Sequence, residues 1–244
     1  MSTPTSLPAS NPLPALPGLI DHTLLKPDST HDDLRKLCEE ARTHDFHSVC
    51  VQAVHVAFCV EQLRHLEMRA DVQTHVHVVS VVGFPQGASP TSSKVIEARE
   101  AVRMGASEID MVIALWALKN RELRAAYDDI AAVVQAVQPH PVKVILETGL
   151  LSDDEIIMGC TLASLAGAAF VKTSTGFGPR GATVADVVLM RRVVGPNMGI
   201  KASGGIRTEA DARALIAAGA TRLGMSASVS VVSKSDVSPH EVVY

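Results

Sequence analysis

The chain has no excess of positive charge. Its 22 basic side chains are outnumbered by 26 acidic ones, for a formal net charge of −4. Nucleic acids and membrane surfaces are held by clustered Lys and Arg, so neither is expected as a partner. Small anions remain open, because a local site decides those. Cysteine is scarce: Cys38, Cys50, Cys59 and Cys160 form no C-x-x-C pair. A chain of this length needs no disulfide framework, so the four read as reduced and mostly buried, which suits a cytoplasmic protein. The N-terminus lacks a charged segment followed by an apolar run, so no signal peptide is expected. Apolar stretches fall far short of the roughly 20 residues that cross a bilayer.

What is present is a globular chain of 244 residues, 47% hydrophobic, with no composition break marking a second domain. Residues 1–18 hold five prolines among Ser, Thr and Ala and read as a disordered tail. From residue 19 short apolar, β-rich runs alternate with amphipathic segments. Strands are expected at 20–24, 48–52, 75–82, 108–113, 142–147, 170–174, 199–203 and 222–225. Helices are expected at 32–43, 92–104, 121–137, 153–166, 184–193 and 209–218, with Ser152, Thr183 and Thr208 as N-caps. Strands this continuously apolar belong to a parallel sheet covered by helices, and eight close a barrel. The expected fold is a single α/β (β/α)8 TIM barrel over 19–233, its last helix stunted, followed by a flexible polar tail at 234–244. An open doubly wound sheet is the alternative.

Lysine recurs inside the strands. Lys143, Lys172 and Lys201 each stand second in an apolar run, spaced 29 residues apart from 143 to 172 and from 172 to 201. Lysine is almost never buried unless paired. One such residue would read as a packing lysine facing a carboxylate such as Asp110 or Glu147. Three at equivalent positions point to chemistry, because clustered cations depress one another's pKa and a neutral lysine attacks carbonyls. Lys172, followed by Thr173, is the candidate nucleophile, with Lys201 staying charged beside it. Asp110, inside an apolar strand, is a candidate proton carrier; Asp21 in the first strand is a weaker one.

Ser203-Gly204-Gly205 follows the seventh strand, and Gly224-Met-Ser226-Ala-Ser228 follows the eighth. Barrels often bind phosphate in these two loops, where glycine lets backbone N–H groups approach an anion and hydroxyls add donors. The run Gly176-Phe-Gly178-Pro-Arg-Gly181 matches a dinucleotide fingerprint, but Lys201 occupies the region where that fold carries an acid. It reads instead as a mobile glycine loop near the phosphate. His75 and His77 share a strand face, but at the strand's start, away from where barrel sites gather. Cys50 reads as a thiol lining the pocket.

Longer motifs carry a family resemblance. Ile20-Asp-His-Thr-Leu-Leu25, Val81-Val-Gly-Phe-Pro-Gln-Gly87 with Thr91, Lys94 and Glu97, and Ala101 to Val112 resemble deoxyribose-phosphate aldolases. So do Lys143 to Gly149, Phe170 to Phe177 and Ile200 to Arg207, and the similarity spans about residues 19–228. The resemblance implies a class I aldolase that needs no metal or other cofactor. Such an enzyme cleaves 2-deoxy-D-ribose 5-phosphate to D-glyceraldehyde 3-phosphate and acetaldehyde in deoxynucleoside breakdown. It implies Lys172 as the Schiff-base lysine, Asp110 and Lys201 as the proton relay, and Gly204, Gly205, Ser226 and Ser228 as phosphate loops. Asp21, Cys50, Lys143, Thr173 and Gly176 are further candidate substrate-binding residues, and a homodimer or larger homo-oligomer is expected.

Two departures stand out. Lys201-Ala-Ser-Gly-Gly replaces the family's Lys-Pro-Ala-Gly-Gly, and Gln52-Ala53 replaces an Asn-Pro expected to shape the pocket floor. Some relatives end in a tyrosine that enters the site, and this chain ends in Tyr244. The rival readings are another phosphosugar barrel enzyme and an inactive phosphate-binding barrel.

Overall fold

A computed structural model describes residues 15–68 and 76–233. Most of the proline-rich tail, His75, and the whole C-terminal tail with Tyr244 lie outside the described residues. The part of the tail that is described is a 3-10 turn, Leu16–Leu19, with Pro17 near its start and Leu16 packed on the core. Proline's fixed φ suits a first helical turn, so ordered chain begins earlier than residue 19.

Eight parallel strands form a closed barrel in sequence order. They are β1 (Ile20–Leu24), β2 (Ser48–Val51), β3 (His77–Val82), β4 (Glu108–Val112), β5 (Val142–Ile145), β6 (Phe170–Lys172), β7 (Gly199–Ser203) and β8 (Arg222–Met225). Around them lie α1 (His31–Thr43), α2 (Val56–Met68), α3 (Thr91–Arg103), α4 (Leu115–Lys119), α5 (Leu123–Val137), α6 (Asp153–Leu165), α7 (Val184–Val194), α8 (Glu209–Ala217) and α9 (Ser228–Val232). Ser152 and Thr208 close capping boxes on α6 and α8, and Thr183 caps α7. The last helix, α9, has only five residues.

Two helices have no counterpart among the sequence expectations, α2 and α4. α2 has no side-chain cap, being entered from a 3-10 turn at Ala53–His55, and α4 is a single short turn. β5 and β6 stop two residues short of the expected ends. Glu147 takes a left-handed φ of 58°, which ends the extended run of β5.

Alternate strand residues point to opposite faces, so one set faces the helices and the other fills the barrel. The helix-facing set joins the large core that includes Val49, Ile109, Val144, Val171, Ile200 and Leu223. The inner set is divided. Cys50, Val79 and Val81 with Leu25 make a small apolar cluster on the β2–β3 side. The β1 and β4–β8 side is charged. Two glycines make room for it: a Cβ at Gly224 would meet the Lys201 side chain at 2.8 Å, and one at Gly199 would meet the Phe170 ring at 2.2 Å.

Candidate active site

Asp110 on β4 collects all three strand lysines. Lys143 Nζ lies 2.8 Å from Oδ1, and Lys172 and Lys201 lie 2.8 and 2.7 Å from Oδ2. Such contacts between β4 and β6 or β7 are possible only across the barrel interior. The lysines do not occupy one layer, however. Lys172 pairs in register with Lys201, whereas Lys143 pairs with Phe170, two residues below Lys172. The stagger that closes a barrel sets Lys143 one level deeper.

Below Asp110 the charges continue. Lys143 lies 2.5 Å from Glu108, Arg222 bridges Glu108 at 3.1 Å and Asp21 at 2.9 Å, and Asp21 reaches Lys201 at 2.5 Å. Ser48 donates to Asp21 at 2.7 Å, and His47 meets Glu108 at 3.4 Å from the base of the barrel. Three carboxylates, Asp21, Glu108 and Asp110, therefore stand among three fixed cations, Lys143, Lys201 and Arg222. Lys172 is the surplus positive group.

This arrangement gives a different physical reason for a lowered Lys172 pKa than the mutual repulsion of lysines. Burial is the first cause pushing the Lys172 amine down from its ordinary range; Asp110 opposes it, and the repulsion of Lys201 is a lesser contribution. Nor do the lysines depress one another mutually. Burial also works against charge on Lys201, but Asp110 and Asp21 outweigh it and raise that pKa. Burial opposes ionisation of Asp110 too, yet the three lysines hold it well below the usual carboxylate range.

A cavity of about 510 Å³ opens above this stack, and Lys172 is the one lysine of the three that lines it. Gly176, Gly204, Gly205 and Ser226 line it as well, with Lys26, Lys36 and Arg207 supplying positive charge and Asp33 and Glu40 negative charge at its edge. Lys201, Asp110, Asp21 and Lys143 are fully buried beneath it. Cys50 is also beneath rather than on the lining; burial pushes its thiol up, so it stays protonated. Thr173 does not line the cavity. Its hydroxyl donates to the Ser203 carbonyl and accepts from the Ser203 N–H, locking β6 to β7. Ser228 is fully buried, facing β1. Gln52 donates to the Leu25 carbonyl and takes no part in the pocket floor.

The glycine run after β6 is fastened at several points, where sequence suggested a mobile loop. Glu147, considered as a lysine partner, instead accepts from the Thr175 hydroxyl and N–H. A Cβ at Gly178 would strike the Glu147 carboxyl at 2.7 Å, and one at Gly181 would strike the Gly204 carbonyl at 2.1 Å. Ala182 N–H completes the contact by donating to Ser203 and Gly204. The glycines serve close packing of two loops. Phe177 meets Phe84 edge-on at 5.4 Å, joining the loops after β6 and β3. Thr91, Lys94 and Glu97 sit on α3, outside the barrel. Lys94 is fully buried against Asp129 and the Val112 carbonyl, and Glu97 receives the Gly83 N–H.

Sequence reasoning passed over Glu108, Arg222 and His22. The first two open β4 and β8 as charged residues inside apolar runs, the same signal that exposed the lysines. His22 offered none, because its partners lie on α1 and α9.

Residues 18–229 match the model of the DeoC/LacD family aldolases. A deoxyribose-phosphate aldolase from Caldanaerobacter subterraneus is 52% identical over 219 residues, covering 88% of this chain and 91% of the relative. One from Bdellovibrio bacteriovorus is 50% identical over 218 residues, covering 89% and 96%. Among solved structures, the tetrameric deoxyribose phosphate aldolase from Aeropyrum pernix superposes with a TM-score of 0.79 at 33% identity, covering 90% of each chain.

Proposed function

The chain belongs to the DeoC/LacD family of aldolases, and from that premise we propose that it is a class I enzyme acting on 2-deoxy-D-ribose 5-phosphate through a Schiff base on Lys172. As a member of that family it is a carbon–carbon lyase. The observation that carries the residue assignment is that Lys172 alone among the interior lysines borders the cavity, and burial pushes its amine toward the neutral form.

Neutral Lys172 adds to the open-chain aldehyde, and loss of water leaves an iminium. That cation draws electrons from the C2–C3 bond as a water held by Asp110 and Lys201 takes the C3 hydroxyl proton, so glyceraldehyde 3-phosphate departs and an enamine remains, to which the same relay returns a proton. Protonation of the enamine carbon and hydrolysis release acetaldehyde and the free amine. Asp110 and Lys201 are the proton relay. Asp110 Oδ2 lies within hydrogen-bond reach of the Nζ atoms of both Lys172 and Lys201, which sets the relay groups directly beside the reacting amine. Gly204, Gly205, Ser226 and Gly176 hold the phosphate, whose binding energy, remote from the breaking bond, positions the sugar. Asp21 and Lys143 keep the relay charged from below, while Thr173 sets the spacing of β6 and β7.

The Aeropyrum relative is a tetramer, and this chain is expected to act as a homodimer or larger homo-oligomer. A cytoplasmic place in deoxynucleoside breakdown fits four free, buried cysteines and the absence, among the described residues, of a helix able to cross a membrane.

Borohydride reduction with acetaldehyde, followed by mass spectrometry of the labelled peptide, tests the assignment. The label is expected on Lys172 and is lost in Lys172→Ala. Labelling that persists would move the role to Lys143 or Lys201. Failure to release acetaldehyde from 2-deoxyribose 5-phosphate would point to another phosphosugar reaction.

A further inference from the structure

Ser228 belongs to the loop after β8, yet its hydroxyl is turned away from the cavity. It donates to the Met225 carbonyl at 2.9 Å and meets His22 Nδ1 at 2.9 Å. The hydroxyl and Nδ1 share one hydrogen bond whose direction follows the tautomer of the ring. The other ring nitrogen, Nε2, lies 2.9 Å from Glu40 Oε2 on α1, and Glu40 lies 3.8 Å from Lys36. The imidazole packs against Phe46, ring centroids 5.2 Å apart, and is 3% exposed. His22 also pairs in register with Met225 across β1 and β8. Backbone register and side chain thus tie one residue to both ends of the turn that carries Ser226 into the cavity lining.

We propose that His22 is a positioning residue for phosphate recognition: through its hydrogen bond with Ser228 and its contact with Glu40, it holds the β8–α9 turn in the shape that presents Ser226 to the substrate's phosphate. The proposal rests on the aldolase reading. His22 is itself among the residues bordering the cavity, but its two ring nitrogens are engaged with Ser228 and Glu40, so it acts through the turn rather than on the breaking bond. Removing the ring leaves the Ser228 hydroxyl buried with one of its two partners, so the turn relaxes at the expense of phosphate contacts.

The test compares kcat and KM for 2-deoxyribose 5-phosphate and for unphosphorylated 2-deoxyribose in wild type, His22→Leu, His22→Gln, His22→Asn and Ser228→Ala. Asparagine keeps an amide where Nδ1 stands; glutamine keeps one only near Nε2. Leu, Gln and Ser228→Ala variants are expected to raise KM for the phosphorylated sugar about tenfold, with kcat far less affected. Their loss should be several-fold larger with the phosphorylated substrate than with the unphosphorylated one, while Asn retains most of the preference. Equal losses on both substrates would overturn the proposal by reducing His22 to a packing role. An Asn variant as impaired as Leu would overturn the route through Ser228. Ser228→Ala removes one atom and keeps the test open if the His22 variants fold poorly. A wild-type enzyme with no preference for the phosphate would sink the reading of the cavity as a phosphosugar site, and this proposal with it.

Discussion

Beneath Lys172 each charged side chain of the barrel interior meets an opposite charge: Asp21, Glu108, Asp110, Lys143, Lys201 and Arg222 all have a partner within 3.1 Å. Above it lies the cavity, bordered by Gly176, Gly204, Gly205 and Ser226. Buried ion pairs rarely stabilise a fold beyond what packed hydrocarbon would contribute, because desolvation offsets their attraction. The lower layer is therefore better understood as a device that fixes charge states, with the balance of three carboxylates and three cations leaving one amine in excess. The upper layer keeps bonding capacity and space for a ligand.

Breaking the lower layer should have the largest effect. Asp110→Asn leaves Lys172 without a carboxylate and Lys143 and Lys201 with one each. Turnover is expected to fall at least about 100-fold, and urea unfolding should show a loss of about 3–5 kcal/mol. Lys172→Ala should be equally inactive but unfold at no lower temperature than wild type, since it removes the surplus charge. A matching loss of stability in the two variants would erase the distinction drawn between surplus and paired groups.

The upper layer should respond in affinity rather than stability. Gly181→Ala drives a methyl into the Gly204 carbonyl, displacing a loop that borders the cavity. KM for the phosphorylated sugar is expected to rise about tenfold or more, with a small change in melting temperature. An unaltered KM would mean that the loop's shape does not matter to binding.

A finer test uses pH. Burial opposes ionisation of Glu108, but His47, Lys143 and Arg222 together bring its pKa from 4.5 down to about 2. A depressed carboxylate contributes stability that is fully present above its unfolded value and is lost as pH falls from about 4.5 through about 2. Glu108→Gln should therefore be less stable than wild type by a few kcal/mol near neutrality, with the gap closing toward pH 2. A gap independent of pH would show that Glu108 acts through packing. The smallest effect belongs to an exposed pair: Arg213→Ala breaks its contact with Glu209 on α8 and should cost under about 0.5 kcal/mol in the same assay.

Much of this was readable without coordinates. The eight strands follow from apolar runs punctuated by Gly, Pro and Ser, and the three caps from Ser or Thr before an acidic first turn. Lys143, Lys172, Lys201 and Asp110 stood out because charge inside an apolar strand demands a partner. The same signal at Glu108 and Arg222 went unused, since each stands at a strand's first position, where solvent is the usual neighbour. The glycine run was legible as a loop but not as a packing surface, because the atoms it approaches, Glu147 and Gly204, are 31 and 23 residues from Gly178 and Gly181 along the chain.

Sequence by itself determined where the strands lie, most of the helices and most of the charges that must be buried, because those follow from periodicity and from the cost of leaving water. Only the tertiary structure decided that Lys143 lies a level below Lys172, that burial more than repulsion lowers the reactive amine, and that His22 and Ser228 meet at all. Each of these depends on barrel stagger and on distances between strands and helices far apart along the chain, and no local pattern encodes such distances.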